Sequence, residues 1–195
     1  LMAARSGAKE IDLELLEAAK DKIMMGAERR SMIINEKEKK VTAYHEAGHA
    51  LVAWLLPDTD PIHKVTIIPR GTAYLGATMN LPEKDRYTQS LSEVQAELDV
   101  LMGGRLAERL VFDDITSGAA MDLRHATEIA RRMVCEWGMS PKLGPLSYGN
   151  RSEHIYLGRD ITRTEDYSEE TAREIDQEIK RIVSEAEDRA EKLLQ

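Results

Sequence analysis

The chain has 195 residues, a formal charge of -8 and a pI near 5.3, a balance that argues against a nucleic-acid surface. Its length suits one domain of ordinary size plus a small appendage, and its single cysteine, Cys135, excludes a disulfide framework or a thiolate-bound metal. Aromatics are scarce at 5% while charged residues reach 32%, which predicts a mainly α fold with a small β-hairpin or short sheet and no large β-sheet.

In chain order, residues 10 to 31 read as a helix, or two, ending in the cluster Glu28-Arg29-Arg30, with nothing catalytic in them. A composition shift over 33 to 40 marks a linker, and the charged run from Glu36 to Lys40 reads as a solvated face. Asn35 with Glu38 forms a capping box and Pro57-Asp58 a stop, so the next helix is expected over 36 to 56. Its buried stripe is expected to be Val41, Tyr44, Gly48, Leu51, Val52 and Leu55.

That helix carries His45-Glu46-Ala47-Gly48-His49. Two imidazoles four residues apart share one helix face and can reach one zinc ion. Glu46, about 100° round the helix, can then meet a water held on the metal. The competing explanation, two core histidines beside a surface carboxylate, does not account for the phasing of all three residues.

Beyond it, residues 64 to 68 and 73 to 80 read as two short strands around Pro69-Arg70-Gly71-Thr72. In the second, Leu75, Ala77, Met79 and Leu81 are expected to face the core, and Gly76 to leave bare backbone where an extended peptide could pair; Leu75 and Gly76 are thus candidate substrate contacts. His63 is placed at a strand entrance with no metal role. Ser90 and Glu93 cap a helix of about 91 to 111, packed through Leu91, Val94, Leu98, Leu101 and Leu106. Its Gly103-Gly104 pair costs roughly 1 to 2 kcal/mol of helix propensity, to be offset by close approach of another helix.

Thr116-Ser117-Gly118 opens a helix of about 119 to 137, stopped by Gly138. Asp122 falls in line with Ala126, Ile129 and Met133, so a carboxylate lies on the buried stripe. A cation would satisfy it, which makes Asp122 the first candidate for a third ligand; a first-turn aspartate on the helix dipole explains the spacing equally well. Leu55 stands where one protease class would need a third histidine, and Glu97 or Glu108 could supply a carboxylate from a second helix. Spacing leaves Glu108 open. His125, one turn on, is expected to be exposed. Residues 138 to 167 are rich in Gly and Pro and read as irregular. A last helix from Ser168 has a seam of Ile175, Ile179, Ile182, Ala186 and Leu193, with Arg189 in one slot.

Lys20-Asp21-Lys22-Ile23-Met24-Met25-Gly26, Tyr44-His45-Glu46-Ala47-Gly48-His49-Ala50, Gly103-Gly104-Arg105-Leu106-Ala107-Glu108, Thr116-Ser117-Gly118-Ala119 with Asp122, and Trp137-Gly138-Met139-Ser140 together closely resemble the FtsH family of AAA+ zinc proteases. The resemblance implies one Zn2+ on His45, His49 and Asp122, Glu46 as catalytic base and acid, and Glu108 as a neighbour of the ligands. It implies residues 1 to 34 as the C-terminal end of the ATPase module's helical lid with its linker, and 35 to 195 as the protease domain. It also implies a homo-hexamer acting on unfolded or membrane-extracted polypeptides. The full-length protein would sit at the inner (plasma) membrane, this domain on the cytoplasmic side. No phosphate-binding G-x-x-x-x-G-K-[ST] occurs, and the longest apolar run, within 47 to 57, is too short to span a bilayer. ATP and the membrane are therefore expected to act only through segments outside this chain, which is itself expected to be soluble. A non-catalytic oligomerisation scaffold with a structural zinc is the alternative; such a site would close its fourth position with a further Cys or His, and none is suitably spaced.

Overall fold

A computed structural model describes residues 1–29, 32, 34–70, 75–82, 87–149 and 167–195. Its elements run α1 Met2–Ser6, α2 Leu13–Met25, α3 Glu36–Leu55, β1 Ile62–Thr66, β2 Ala77–Asn80, α4 Leu91–Phe112, a 3-10 turn Ser117–Ala119, α5 Ala120–Cys135 and α6 Glu169–Leu194. The fold is mainly α, with one two-stranded antiparallel sheet and no large one among the described residues.

Local chemistry sets most helix starts. Asn35 Oδ1 accepts the Glu38 amide at 2.7 Å, Ser90 and Glu93 make a reciprocal capping box, and Ser168 accepts from Thr171. The core is formed by α4, α5 and α6 with Val52 of α3, and includes the fully buried Leu98, Met102, Leu106, Met133 and Ile175. Burying side chains of this size contributes about 1.5–3 kcal/mol each. On α6 the expected seam holds at Ile175, Ile179, Ile182 and Ala186, and Ala190 joins it. Arg189, out of place in an apolar seam, forks onto the buried Asp99 of α4 at 2.6 and 2.9 Å.

Two glycines bring α3 and α4 into backbone contact. A Cβ on Gly103 would lie 2.7 Å from the Gly48 carbonyl oxygen, so neither helix can carry a side chain there at this separation. That contact offsets the poor helix propensity of the pair and fixes how the histidine helix lies on α4.

Several expected boundaries move. The first long helix covers 13 to 25 and not 10 to 31, because Gly26 at φ 84° turns the chain; residues 30 and 31 lie outside the described residues. The strands are 62–66 and 77–80, with 71–74 outside the described residues; they pair Val65 with Thr78 and Thr66 with Ala77, and a bulge lies between Ile62 and Lys64. Leu75 is exposed and not in the core. The helix expected over 119 to 137 begins as the 3-10 turn and ends at Cys135, and Gly138 has the positive φ of 60° suited to a stop. Of the irregular segment, 150–166 lie outside the described residues.

The stripe on α3 is also rotated. Gly48 and Val52 are buried as expected, but Tyr44, Leu51 and Leu55 are exposed, and Glu46, His49 and Ala53 turn inward instead. Apolarity alone mis-assigns this helix, because its inner face is used for polar chemistry. On α4 the same holds in part: Leu91 is exposed, while Val94, Leu98 and Leu106 are buried and Met102 joins them.

Candidate metal centre

Helix α3 presents His45 and His49 one turn apart, with ring centroids 4.7 Å from each other. Each ring is anchored by its Nδ1. That of His45 lies 2.7 Å from Glu108 Oε1, and that of His49 lies 2.7 Å from the Val100 carbonyl oxygen. Both anchors are acceptors, so each Nδ1 donates its hydrogen and each Nε2 of a neutral ring keeps a lone pair. Glu108 is itself fixed, its Oε2 accepting the Thr116 amide at 2.8 Å, which also seats the turn that starts α5.

The two Nε2 atoms face each other at 3.0 Å, and Asp122 Oδ2, from the first turn of α5, lies 3.3 Å from one and 3.7 Å from the other. Three electron-rich atoms with no hydrogen among them repel unless a cation lies between them. Electrostatics agree. Burial works against a charged His45, yet the Asp122 and Glu108 carboxylates outweigh it and raise the ring's pKa. For Asp122, burial is likewise overcome by the two imidazoles, and its carboxyl is held well below the usual range. Positive charge is favoured at this point, and two imidazole nitrogens with one carboxylate oxygen form a ligand set suited to zinc.

Gly104 leaves the space open. A Cβ there would meet His45 Nε2 at 2.5 Å and His49 Nε2 at 2.6 Å, filling the volume into which the donors point. The residues present therefore fit a divalent metal.

Glu46 is buried beside the pair, and Thr78 of β2 donates its hydroxyl to Glu46 Oε2 at 2.8 Å. Gly76 is packed against the same carboxylate, since a Cβ on it would stand 2.8 Å from Glu46 Oε1. The missing side chain at 76 thus gives room to Glu46, and exposed Leu75 sits next to it.

The structure brings together His45, His49, Asp122, Glu46, Glu108 and Gly76. It does not bring Glu97, which pairs with Gln89 at 3.2 Å, into the donor set. His125 is exposed, one turn beyond Asp122. Sequence reasoning missed Thr78, Val100 and Gly104. Val100 acts through its carbonyl and leaves no side-chain signal, whereas Gly104 belongs to a pair whose cost needed an explanation; Gly103 meets α3 and Gly104 clears the metal position.

The model of peptidase family M41 matches residues 32–195. The chain is 57% identical over 194 residues to "ATP-dependent zinc metalloprotease FtsH 1" of Thermoanaerobacter sp. (strain X514), all of this chain and 32% of that protein being covered. It is 55% identical over 194 residues to "ATP-dependent zinc metalloprotease FtsH" of Myxococcus xanthus (strain DK1622), again over the whole chain and 30% of the relative. The chain thus spans about a third of the length of these relatives. With the family model covering most of its length, and a histidine pair, aspartate and glutamate gathered at one point, the chain belongs to peptidase family M41, the zinc metallopeptidases of the FtsH type.

Proposed function

We propose that residues 35–195 are the zinc endopeptidase domain of a longer ATP-dependent protease, and that residues 1–34 are the end of its ATPase helical lid and the linker. His45 Nε2, His49 Nε2 and an Asp122 carboxylate oxygen hold the zinc. When bound, zinc supplies a Lewis acid that polarises a peptide carbonyl and brings the pKa of a water to about 7.

Glu46 is the general base and acid. Its Oε2 is occupied by the Thr78 hydroxyl, so Oε1 is the oxygen left to take a proton from the attacking water and return it to the departing amide nitrogen. Glu108 and the Val100 carbonyl keep the imidazoles in the tautomer whose Nε2 can act as a ligand. Among the described residues strand β2 pairs with β1 along one edge, and an extended substrate is received along the other, entering past Leu75 and Gly76.

In the full-length protein the domain works as part of a membrane-anchored homo-hexamer at the inner (plasma) membrane, on the cytoplasmic side, cutting unfolded or extracted polypeptides. The relatives' names support the ATP-dependent zinc protease part of this reading, and the membrane anchor and hexamer rest on the family resemblance. No helix among the described residues is long and apolar enough to cross a membrane.

The observation that carries the proposal is the convergence of two imidazole Nε2 atoms and a carboxylate oxygen beside a buried, hydroxyl-pinned glutamate. The test is Glu46→Gln. Zinc content should match the parent while hydrolysis of unfolded casein falls by about 10²- to 10⁴-fold. Parent-level hydrolysis by this variant, or by zinc-stripped parent protein, would falsify the assignment.

A further inference from the structure

A second set of metal-type donors lies outside the catalytic site, where α2 meets the hairpin. Glu17 and Asp21 are one turn apart on α2, and His63 is the second residue of β1. His63 Nε2 is 3.6 Å from Glu17 Oε2 and 3.9 Å from Asp21 Oδ1. Asp21 is 3% exposed, and neither its Oδ1 nor His63 Nε2 has a hydrogen-bond partner, though both atoms are buried. Leaving such atoms unsatisfied is costly.

These separations are too long for hydrogen bonds and close to what a shared cation requires. Ligands about 2.0–2.2 Å from a tetrahedral metal stand roughly 3.3–3.6 Å from one another. The molecule supplies its own standard: the donors of His45, His49 and Asp122 are 3.0 to 3.7 Å apart.

We propose that Glu17, Asp21 and His63 form a second divalent-metal site, which clamps α2 onto strand β1. One imidazole with two carboxylates suits zinc and similar transition metals. Asp21 offers Oδ1 because Lys64 already engages Oδ2, with Arg70 at 3.8 Å. Lys20 Nζ lies 2.7 Å from Glu17 Oε2, the oxygen that faces His63. Lys20 is thus the cation that must give way, and its side chain, 34% exposed, can swing into solvent as the metal enters, while Lys64 keeps Oδ2. Arg70 remains, paired with Glu28 at 2.6 Å. Displacing Lys20, with Lys64 and Arg70 still beside Asp21, makes this the weaker of the two sites.

Its position gives it a role. Helix α2 precedes the residues matched to the peptidase family, and β1 pairs through Val65 with Thr78, whose hydroxyl holds Glu46. A metal here would tie the preceding segment to the strand pair that orients the catalytic carboxylate.

The test is a zinc count on the whole chain. Protein dialysed against free Zn2+ is assayed by atomic emission, with Glu17→Gln and His63→Ala in parallel and circular dichroism as a check on folding. The parent should hold two zinc ions and each variant one, with casein hydrolysis by the variants unchanged. A second, zinc-dependent rise in the melting temperature should be present in the parent and absent from Glu17→Gln. If the parent holds one zinc, or the variants hold two, the site does not exist. Should His63→Ala fail to fold, Glu17→Gln decides alone, because Glu17 lies at the surface: one ion supports the clamp and two overturn it.

Discussion

Around His45 and His49 the ring N–H groups are anchored on acceptors, and no lysine or arginine pairs with Asp122, Glu108 or Glu46 among the described residues; around Glu17, Asp21 and His63, three cationic side chains already lie against the same two carboxylates. The two clusters have similar donor spacing but differ in what surrounds the donors. At the first, Glu108 and Val100 remove the freedom of each ring to turn or change tautomer before any metal arrives. At the second, among the described residues, no such acceptor is seen on the His63 ring, the carboxylates are held by lysines, and a metal must first displace Lys20. Spacing makes a site possible, whereas the surrounding hydrogen bonds and charges set whether it is permanently filled or responds to concentration.

Substitutions can sharpen that contrast. The largest effect is expected from Asp122→Asn, which replaces the anionic donor by a neutral amide. Zinc at the first site should be lost on dialysis, a larger cost than the roughly 10- to 100-fold typical of removing an outer partner. Glu108→Gln should fall within that 10- to 100-fold range, with the zinc count preserved at saturation, because the amide oxygen can still accept from His45 Nδ1. If its loss equals that of Asp122→Asn, the distinction between ligand and anchor fails.

Thr78→Val tests the glutamate side of the same site. A hydrogen bond to a charged group contributes about 1.5–3 kcal/mol, so kcat should drop by roughly 10- to 100-fold if it is expressed in the transition state. KM and zinc content should be unchanged, and Thr78→Ser should recover most of the rate. A parent-like kcat for Thr78→Val would remove Thr78 from the mechanism. The smallest effect belongs to the second cluster: in metal-free buffer Glu17→Gln should melt at the parent temperature, since the Glu17 carboxylate is at the surface and, among the described residues, pairs with Lys20 and, more distantly, His63.

What was legible in the sequence follows the range of the interactions. The caps at Asn35 and Ser90 act over three residues, and the helices they start begin where expected. The His45-Glu46-His49 phasing is likewise a property of one helix, and Asp122 could be singled out because a carboxylate lay in line with an apolar stripe. The lengths of the first helix and the strands were less accessible, because one turn at Gly26 and one bulge after Ile62 set them. The inner face of α3 was misread for a different reason: hydrophobic periodicity finds packing, and that face holds Glu46 and His49. Thr78 and the Val100 carbonyl are separated from their partners by 32 and 51 residues, and nothing in the local pattern announces either.

The Gly48–Gly103 crossing bears on any attempt to improve this protein. Exchanging either glycine for alanine would gain about 1 kcal/mol by helix propensity alone, which makes both positions attractive to a redesign that scores residues one at a time. Yet the added methyl at 103 would stand 2.7 Å from the opposing carbonyl oxygen and could be accommodated only if one helix lifted off the other. Since His45 and His49 ride on the first helix while Glu108 and the Val100 carbonyl ride on the second, such a lift would open every ring anchor together. A variant chosen for a better helix would then be recovered as a folded protein that no longer retains metal.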